Sequence, residues 1–422
     1  MTEVQLDPYQ SRYARRAHGM TASEIRALFA VATRPEIVSL AGGMPYTAAL
    51  AADAVPADTA MVIRESGATA LQYGGGQGID ALRERLVEVM AAEHVSVHPD
   101  DILVTNGGQQ GLDLLGKLFC NPGDIVLAEG PSYVGALNAF GSYQGYVIHL
   151  AMDEHGLIPE SLDETIAALR DAGRTAKFLY TVPNHQNPAG VSMSQARREA
   201  LIERAERYDL LLVEDNPYGL LDFKGEQLTC LREMNPDRVI YLGTLSKIFS
   251  PGVRIGWVAA PAPIRRKLTL LKETADLSQS NLTQYVAERW LATQPWLDQV
   301  KRYRELYRER CDAMLGELAV EFPDDCTWSI PTGGFFVWLR LPEGMDSKDL
   351  LPSALRARVA YVPGRAFYAD GSGGRELRLS FCFPTSERIR EGVRRLAGVV
   401  RDQAELREAF YGHQPKTKDE AP

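Results

Sequence analysis

The residues best suited to chemistry lie in the run Thr244-Leu245-Ser246-Lys247, which closes an apolar strand and leads into Pro251-Gly252-Val253-Arg254-Ile255-Gly256. A carbonyl cofactor needs an amine held where it can lose its proton, and a lysine between a hydroxyl-rich strand end and a Pro-Gly turn meets that need. The Thr244 and Ser246 hydroxyls and the Arg254 guanidinium suit an anion, because charge-assisted, forked donors match the oxygens of a phosphate. Taken alone, the same run also reads as a solvated turn.

Five further segments carry groups of matching chemistry. Val213-Glu214-Asp215-Asn216-Pro217-Tyr218 sets acids at the C-terminal end of an apolar strand, the end at which open α/β sheets bind ligands. A carboxylate there is costly unless a cation such as a protonated pyridine nitrogen pairs with it; the alternative is a helix cap, and Glu214 receives no catalytic role. In Pro183-Asn184-His185-Gln186-Asn187-Pro188-Ala189-Gly190, Asn187 offers an amide donor to a phenolate oxygen and Tyr218 a hydroxyl to the same atom, although Asn-Pro turns are common in loops. His185 reads as a loop side chain rather than a general base. The turn Thr105-Asn106-Gly107-Gly108-Gln109-Gln110-Gly111 opens a helix whose first N–H groups attract phosphate, with Gly107 and Gly108 permitting close approach. Pro131-Ser132-Tyr133 brings a ring to another strand end, either to stack on a planar heterocycle or to fill core. In Leu377-Arg378-Leu379-Ser380-Phe381, alternation puts Arg378 and Ser380 on one face. Arg378 then binds a carboxylate or lies in a surface salt bridge, and its agreement with the other segments favours the carboxylate.

Positioning these groups requires strands whose ends converge. Apolar runs at Ile102 to Thr105, Ile125 to Ala128, Phe178 to Val182, Leu210 to Val213, Val239 to Leu242 and Trp257 to Ala259 alternate with amphipathic stretches such as Ala196 to Arg207. That rhythm predicts an α/β sheet, mostly parallel, with helices on both faces. From about residue 295 the pattern changes to a long charged helix, a strand at Leu377 to Phe381 and a helix at Glu387 to Val400, which reads as a smaller α+β unit.

Composition narrows the function classes. A chain of 422 residues exceeds what one core usually organises. A formal charge of -9 argues against nucleic acid as a partner, since such proteins neutralise phosphates with clustered cations. Five cysteines, an odd number without a CxxC pair, indicate neither a disulfide framework nor a metal site. The polar N-terminus and the lack of any membrane-length apolar run lead to the expectation of a cytoplasmic protein with no membrane partner.

Taken in order, the segments from about Ser23 to Val400 resemble the fold type I pyridoxal-phosphate aminotransferases of class I/II, and are most similar to the 2-aminoadipate and kynurenine aminotransferase branch. The resemblance implies an aspartate-aminotransferase-like fold: a mostly parallel seven-stranded sheet in a large cofactor domain (56–294), a small C-terminal domain (295–422), and an arm with part of the small domain (1–55). It implies pyridoxal 5'-phosphate as cofactor, with Lys247 as its Schiff-base lysine, Asp215 as partner of the ring nitrogen, Asn187 and Tyr218 at the ring hydroxyl and Tyr133 stacked on the ring. Thr244, Ser246 and Arg254 match the phosphate contacts, joined by Gly108 and Gln109, while Arg378 matches the anchor of the substrate α-carboxylate. Gly43, in Leu40-Ala41-Gly42-Gly43-Met44-Pro45, belongs to the segment that closes over substrate, and Tyr73 to the segment that reaches the neighbouring subunit's phosphate. A homodimer with active sites at the subunit interface follows, and the stretch Met44 to Leu50 together with the arm around Arg26 is expected to set specificity. In two departures, Gly108 stands where relatives often carry Ser, and Thr244 where Ser is usual.

The expected reaction moves an amino group from an L-amino acid to a 2-oxo acid. A β-lyase, decarboxylase or oxidase on the same cofactor, and a non-catalytic amino-acid-sensing regulator, are the competing readings. A dinucleotide-dependent dehydrogenase is disfavoured because Gly107-Gly108-Gln109-Gln110-Gly111 does not fit GxGxxG.

Overall fold

The computed structural model describes residues 7–18, 34–50 and 54–411. Its centre is a seven-stranded sheet formed by β1 (Ile102–Asn106), β2 (Ile125–Glu129), β3 (Tyr146–Leu150), β4 (Ala176–Thr181), β5 (Leu211–Asp215), β6 (Val239–Thr244) and β7 (Ile255–Ala259), in the order β1-β7-β6-β5-β4-β2-β3. β7 runs antiparallel to both its neighbours, and the other recorded pairings are parallel. The expected strands are therefore present with ends shifted by a few residues. The one without an expectation is β3, an edge strand whose pattern runs from exposed Tyr146 to buried Leu150, so it offers no continuous apolar run.

Both faces of the sheet are covered, which is why its inner strands carry nearly continuous apolar runs, with acids and hydroxyls confined mainly to their C-terminal ends. Phe178, Tyr180, Val213, Ile240 and Leu242 pack on one side with Leu112, Leu115 and Phe140 from helices α1 (Gly108–Phe119) and α2 (Val134–Ser142). Leu179, Leu212 and Val239, one residue out of step, pack on the other with Leu201, Ile202 and Ala205 of α3 (Gln195–Arg207).

A second, antiparallel sheet of β8 (Thr327–Trp328), β9 (Phe336–Arg340), β10 (Val362–Pro363) and β11 (Glu376–Ser380) has the order β8-β9-β11-β10. The long helices α4 (Trp296–Glu321) and α5 (Ser386–Tyr411) pack on each other beside it, and α5 runs well past the expected end at Val400. In β11 both faces are buried rather than one, so Arg378 is only 4% exposed and the surface-salt-bridge alternative falls. Val38–Ser39 pairs with Val359–Ala360, and Leu40 continues the attachment by donating its N–H to Ala360 O and accepting from Ser380 N. That anchorage carries residues 41–46 across to the ends of the large sheet.

Candidate active site

The C-terminal ends of β1, β2, β4, β5 and β6 and the N-terminal end of β7 open on one cavity of about 320 Å³. Gly43, Gly108, Gln109, Tyr133, Asn187, Asp215, Tyr218, Thr244, Ser246, Lys247, Arg254 and Arg378 all line it. That leaves two expected site residues. Tyr73 is 77% exposed and borders a separate depression with Leu71, Ser278 and Asn281, and Arg26 lies outside the described residues.

One end of the cavity is built for an anion. Gly107, at φ 72°, turns β1 into α1, so that the first N–H groups of this helix face the cavity. The Arg254 guanidinium lies against Gly107 and donates to Asn106 O at 3.1 Å, and it forms no ion pair among the described residues. Thr244 Oγ1 is 2.9 Å from Ser246 Oγ and accepts from Ser246 N at 3.1 Å, which sets both hydroxyls at the same strand end. A Cβ at Gly256 would come within 2.6 Å of the Gly107–Gly108 backbone, so the close approach of β7 to this turn depends on glycine there. At Gly108 a Cβ would meet nothing within 4 Å; its space is open and could hold the serine that relatives often carry.

The other end is acidic. Burial raises the Asp215 carboxyl to about 6, against the opposing pull of a hydrogen bond from Tyr180 and the charge of Lys247. Between the two ends, Lys247 Nζ donates to Gly43 O at 3.1 Å, and burial lowers its amine to about 8. Phe336 closes over this segment, and a Cβ at Gly43 would fall 2.8 Å from its ring. Arg378 sits above Phe336 at 4.1 Å, donating to Asn187 Oδ1 at 2.8 Å and Ala41 O at 2.7 Å. Its Nε is buried without a partner, and it too has no ion pair among the described residues. Burial lowers its guanidinium to about 10, which leaves it cationic at neutral pH.

Several supporting residues escaped the sequence reading. Gln186 Nε2 donates to Glu129 Oε2 at 3.2 Å and to Pro131 O at 2.7 Å, joining the loop that carries Asn187 to the loop that carries Tyr133. Glu129 is itself buried, bonded to the Thr181 hydroxyl and to Val182 N, and burial pushes its carboxyl up. Gln109 Nε2 reaches Gly135 O at 3.0 Å, and the lack of a side chain at Gly135 admits the Tyr133 ring. Cys382 Sγ approaches Met44 O at 3.0 Å behind Lys247. Apart from Gln109, which the sequence already placed at the phosphate, the roles of these residues are recognisable only once distant strand ends meet. His185 sits in the loop but is buried there. It is 4% exposed, and burial holds its ring neutral, lowered to about 3.

A phosphorylated pyridine carbaldehyde asks for an anion cradle, an amine that loses its proton readily and an acid beyond it, in that order along one flat slot. The unpaired Arg254, the Lys247 amine and the Asp215 carboxyl meet those demands, and the orphaned Nε of Arg378 leaves a second anion-seeking group for a substrate. The residues fit pyridoxal phosphate.

Comparison with known proteins agrees. The model of the family described as aminotransferase class I and II matches residues 36–396. Aromatic-amino-acid aminotransferase 1 of Thermococcus litoralis is 40% identical over 398 residues, spanning 94% of this chain and 95% of that protein. A Pyrococcus horikoshii kynurenine aminotransferase, solved in complex with PMP, KYN and KYA, is 39% identical with a TM-score of 0.89, covering 94% of this chain and 99% of that one. The alpha-aminoadipate aminotransferase LysN of Thermus thermophilus, solved with N-(5'-phosphopyridoxyl)-L-leucine, is 34% identical with a TM-score of 0.88 over 94% of this chain and 99% of that one.

Proposed function

The chain belongs to the class I and II aminotransferases and transfers amino groups with pyridoxal phosphate, and from that premise we propose that its preferred donors are L-amino acids with aromatic or large apolar side chains. The observation that carries this reading is the cavity wall. Beyond Lys247, Arg254 and Arg378, each already engaged by cofactor or α-carboxylate, no described lining residue is cationic, while Met44, Leu112, Val134 and Phe336 are apolar. A second carboxylate would be desolvated there without a partner. The aromatic-amino-acid and kynurenine aminotransferases of Thermococcus and Pyrococcus support the same donor class.

In this reading Thr244, Ser246, Arg254, Gln109 and the Gly108 N–H hold the phosphate, Tyr133 covers one ring face, and Asn187 and Tyr218 donate to the ring hydroxyl oxygen. The bound cofactor supplies a ring that accepts electron density from the bond being broken. Asp215 holds a proton at the ring nitrogen. Lys247 would hold the cofactor covalently through Nζ, and once the donor's amine had freed it, the same Nζ would take the proton from the donor Cα and hand it back during transfer. Its lowered basicity suits both steps. Arg378 grips the α-carboxylate through a fork that Asn187 and Ala41 O hold in plane.

The remaining assignments belong to the same proposal. Residues 56–294 form the cofactor domain and 295–422 the small domain, to which Val38–Leu40 is tied. Five free cysteines accord with a cytoplasmic location. Exposed Leu71, Tyr73 and Leu277 form an apolar surface suited to a homodimer in which Tyr73 completes the partner's phosphate site. Mixing inactive Lys247→Ala and impaired Tyr73→Phe subunits then regenerates one intact site per hybrid, so activity rises on mixing; a Tyr73 acting within its own subunit gives no rise.

Steady-state kcat/KM for a panel of donors tests the substrate reading. Phenylalanine, tyrosine, tryptophan and leucine are expected to exceed aspartate, glutamate and 2-aminoadipate by at least about tenfold, the effect of one unpaired buried charge being larger than that. Preference for a dicarboxylic donor would overturn it and direct attention to Arg26.

A further inference from the structure

Asp215 has one recorded hydrogen-bond partner among the described residues, the Tyr180 hydroxyl, 2.7 Å from Oδ2. Tyr180 is 0% exposed and lies on β4, whose register with β5 pairs it with Val213, two residues before Asp215. Phe140 meets its ring edge-on at 5.7 Å. The ring is thus fixed by strand and core, and its O–H points at Asp215, the one carboxylate among the described residues that line the cavity. A buried tyrosine needs some acceptor, so satisfaction of the hydroxyl explains a hydrogen bond but not the choice of this acid. A donated hydrogen bond favours the ionised form of a carboxylate, whereas burial favours the neutral one. At Asp215 these two effects oppose each other.

We propose that Tyr180 is a positioning residue that keeps the proton shared by Asp215 and the cofactor's ring nitrogen on the nitrogen. The inference rests on the assignment of Asp215 made above. One proton is shared between Oδ of Asp215 and the nitrogen, and moving it changes no net charge: with Tyr180 donating, the pair is carboxylate and pyridinium; without it, the proton passes to Oδ and leaves carboxylic acid and neutral pyridine. Only the first arrangement gives the ring its full capacity to draw electrons from the substrate Cα.

The holoenzyme, reconstituted with cofactor labelled with ¹⁵N in the ring, tests this by the ¹⁵N chemical shift. Tyr180→Phe is expected to move the signal toward that of unprotonated pyridine and to lower kcat about tenfold, as a shift of one pKa unit would, with donor KM within about twofold of wild type. Replacing Tyr180 by 4-aminophenylalanine, a weaker donor of the same shape, gives a smaller move in the same direction and serves if the Phe variant does not fold. A wild-type shift in both variants overturns the role of Tyr180. Asp215→Asn separates the two levels: if it moves the signal while the Tyr180 variants do not, only the Tyr180 inference falls, and if it too leaves the signal in place, the Asp215 assignment falls with it.

Discussion

Lys247→Ala is expected to abolish transamination, lowering kcat by about 10⁴-fold or more, because the substitution removes both the point of cofactor attachment and the group that carries the Cα proton. The fold should survive. Among the described residues Lys247 makes one side-chain hydrogen bond, to Gly43 O, and its amine is buried, so truncation relieves a desolvated cation. Cofactor should still bind through Arg254, Thr244 and Ser246, and will be lost on dialysis more readily than from wild type. The absorbance of the lysine-bound cofactor will be missing. The unmodified enzyme carries a second form of the same prediction. Burial lowers the amine to about 8, so its neutral, nucleophilic fraction rises with pH and reaches half near that value, well below an ordinary lysine. The rate at which the cofactor-free protein captures added pyridoxal phosphate, followed by stopped-flow absorbance, will climb through about pH 8 and level above it. A rate still climbing steeply toward pH 10, or a Lys247→Ala protein with wild-type turnover, would remove Lys247 from the centre of the site.

How much of this was legible in the chain depends on the kind of signal each residue leaves. Lys247, Asp215 and Asn187 sit in runs where unusual residue types crowd at a strand end, and a fixed backbone menu carries such runs to one edge of a parallel sheet. The strands themselves were readable because β2, β4, β5 and β6 are covered on both faces. Edge strand β3 was not, since Tyr146 and its neighbours are only partly covered and leave no apolar run. The supporting residues were silent for another reason. Tyr180 reads as one more aromatic in a core strand, Gln186 as a polar loop residue and Glu129 as a strand-end acid, and what distinguishes them is a partner 35, 57 or 52 positions away in the chain. Arg378 was half legible. Alternation gave it a polar face with Ser380, but β11 is covered on both sides, so the arginine faces the cavity from within the core instead of standing at the surface.

That placement makes Arg378 the site of the second large effect. A surface arginine can be lost at little cost, but this one is 4% exposed, has no carboxylate partner among the described residues and keeps an orphaned Nε. Its guanidinium, lowered by burial to about 10, is nonetheless charged throughout the working pH range. The incoming α-carboxylate would therefore meet a desolvated cation already oriented by Asn187 Oδ1 and Ala41 O, and each charge-assisted bond so formed is worth roughly 1.5–3 kcal/mol. Loss of two such bonds in Arg378→Leu should reduce kcat/KM for an L-amino acid about 10²- to 10⁴-fold, mostly through KM, because the carboxylate is held in ground and transition states alike. Arg378→Lys keeps the charge without the fork and should recover only part of this. Removing the arginine also frees Asn187, so cofactor affinity must be measured alongside turnover. The decisive comparison uses a primary amine with the donor's side chain and no carboxylate. Its turnover, slow in wild type, should change little in Arg378→Leu, so the preference of the enzyme for amino acid over amine collapses. If both substrates lose rate equally, Arg378 supports the wall of the cavity and the carboxylate is held elsewhere.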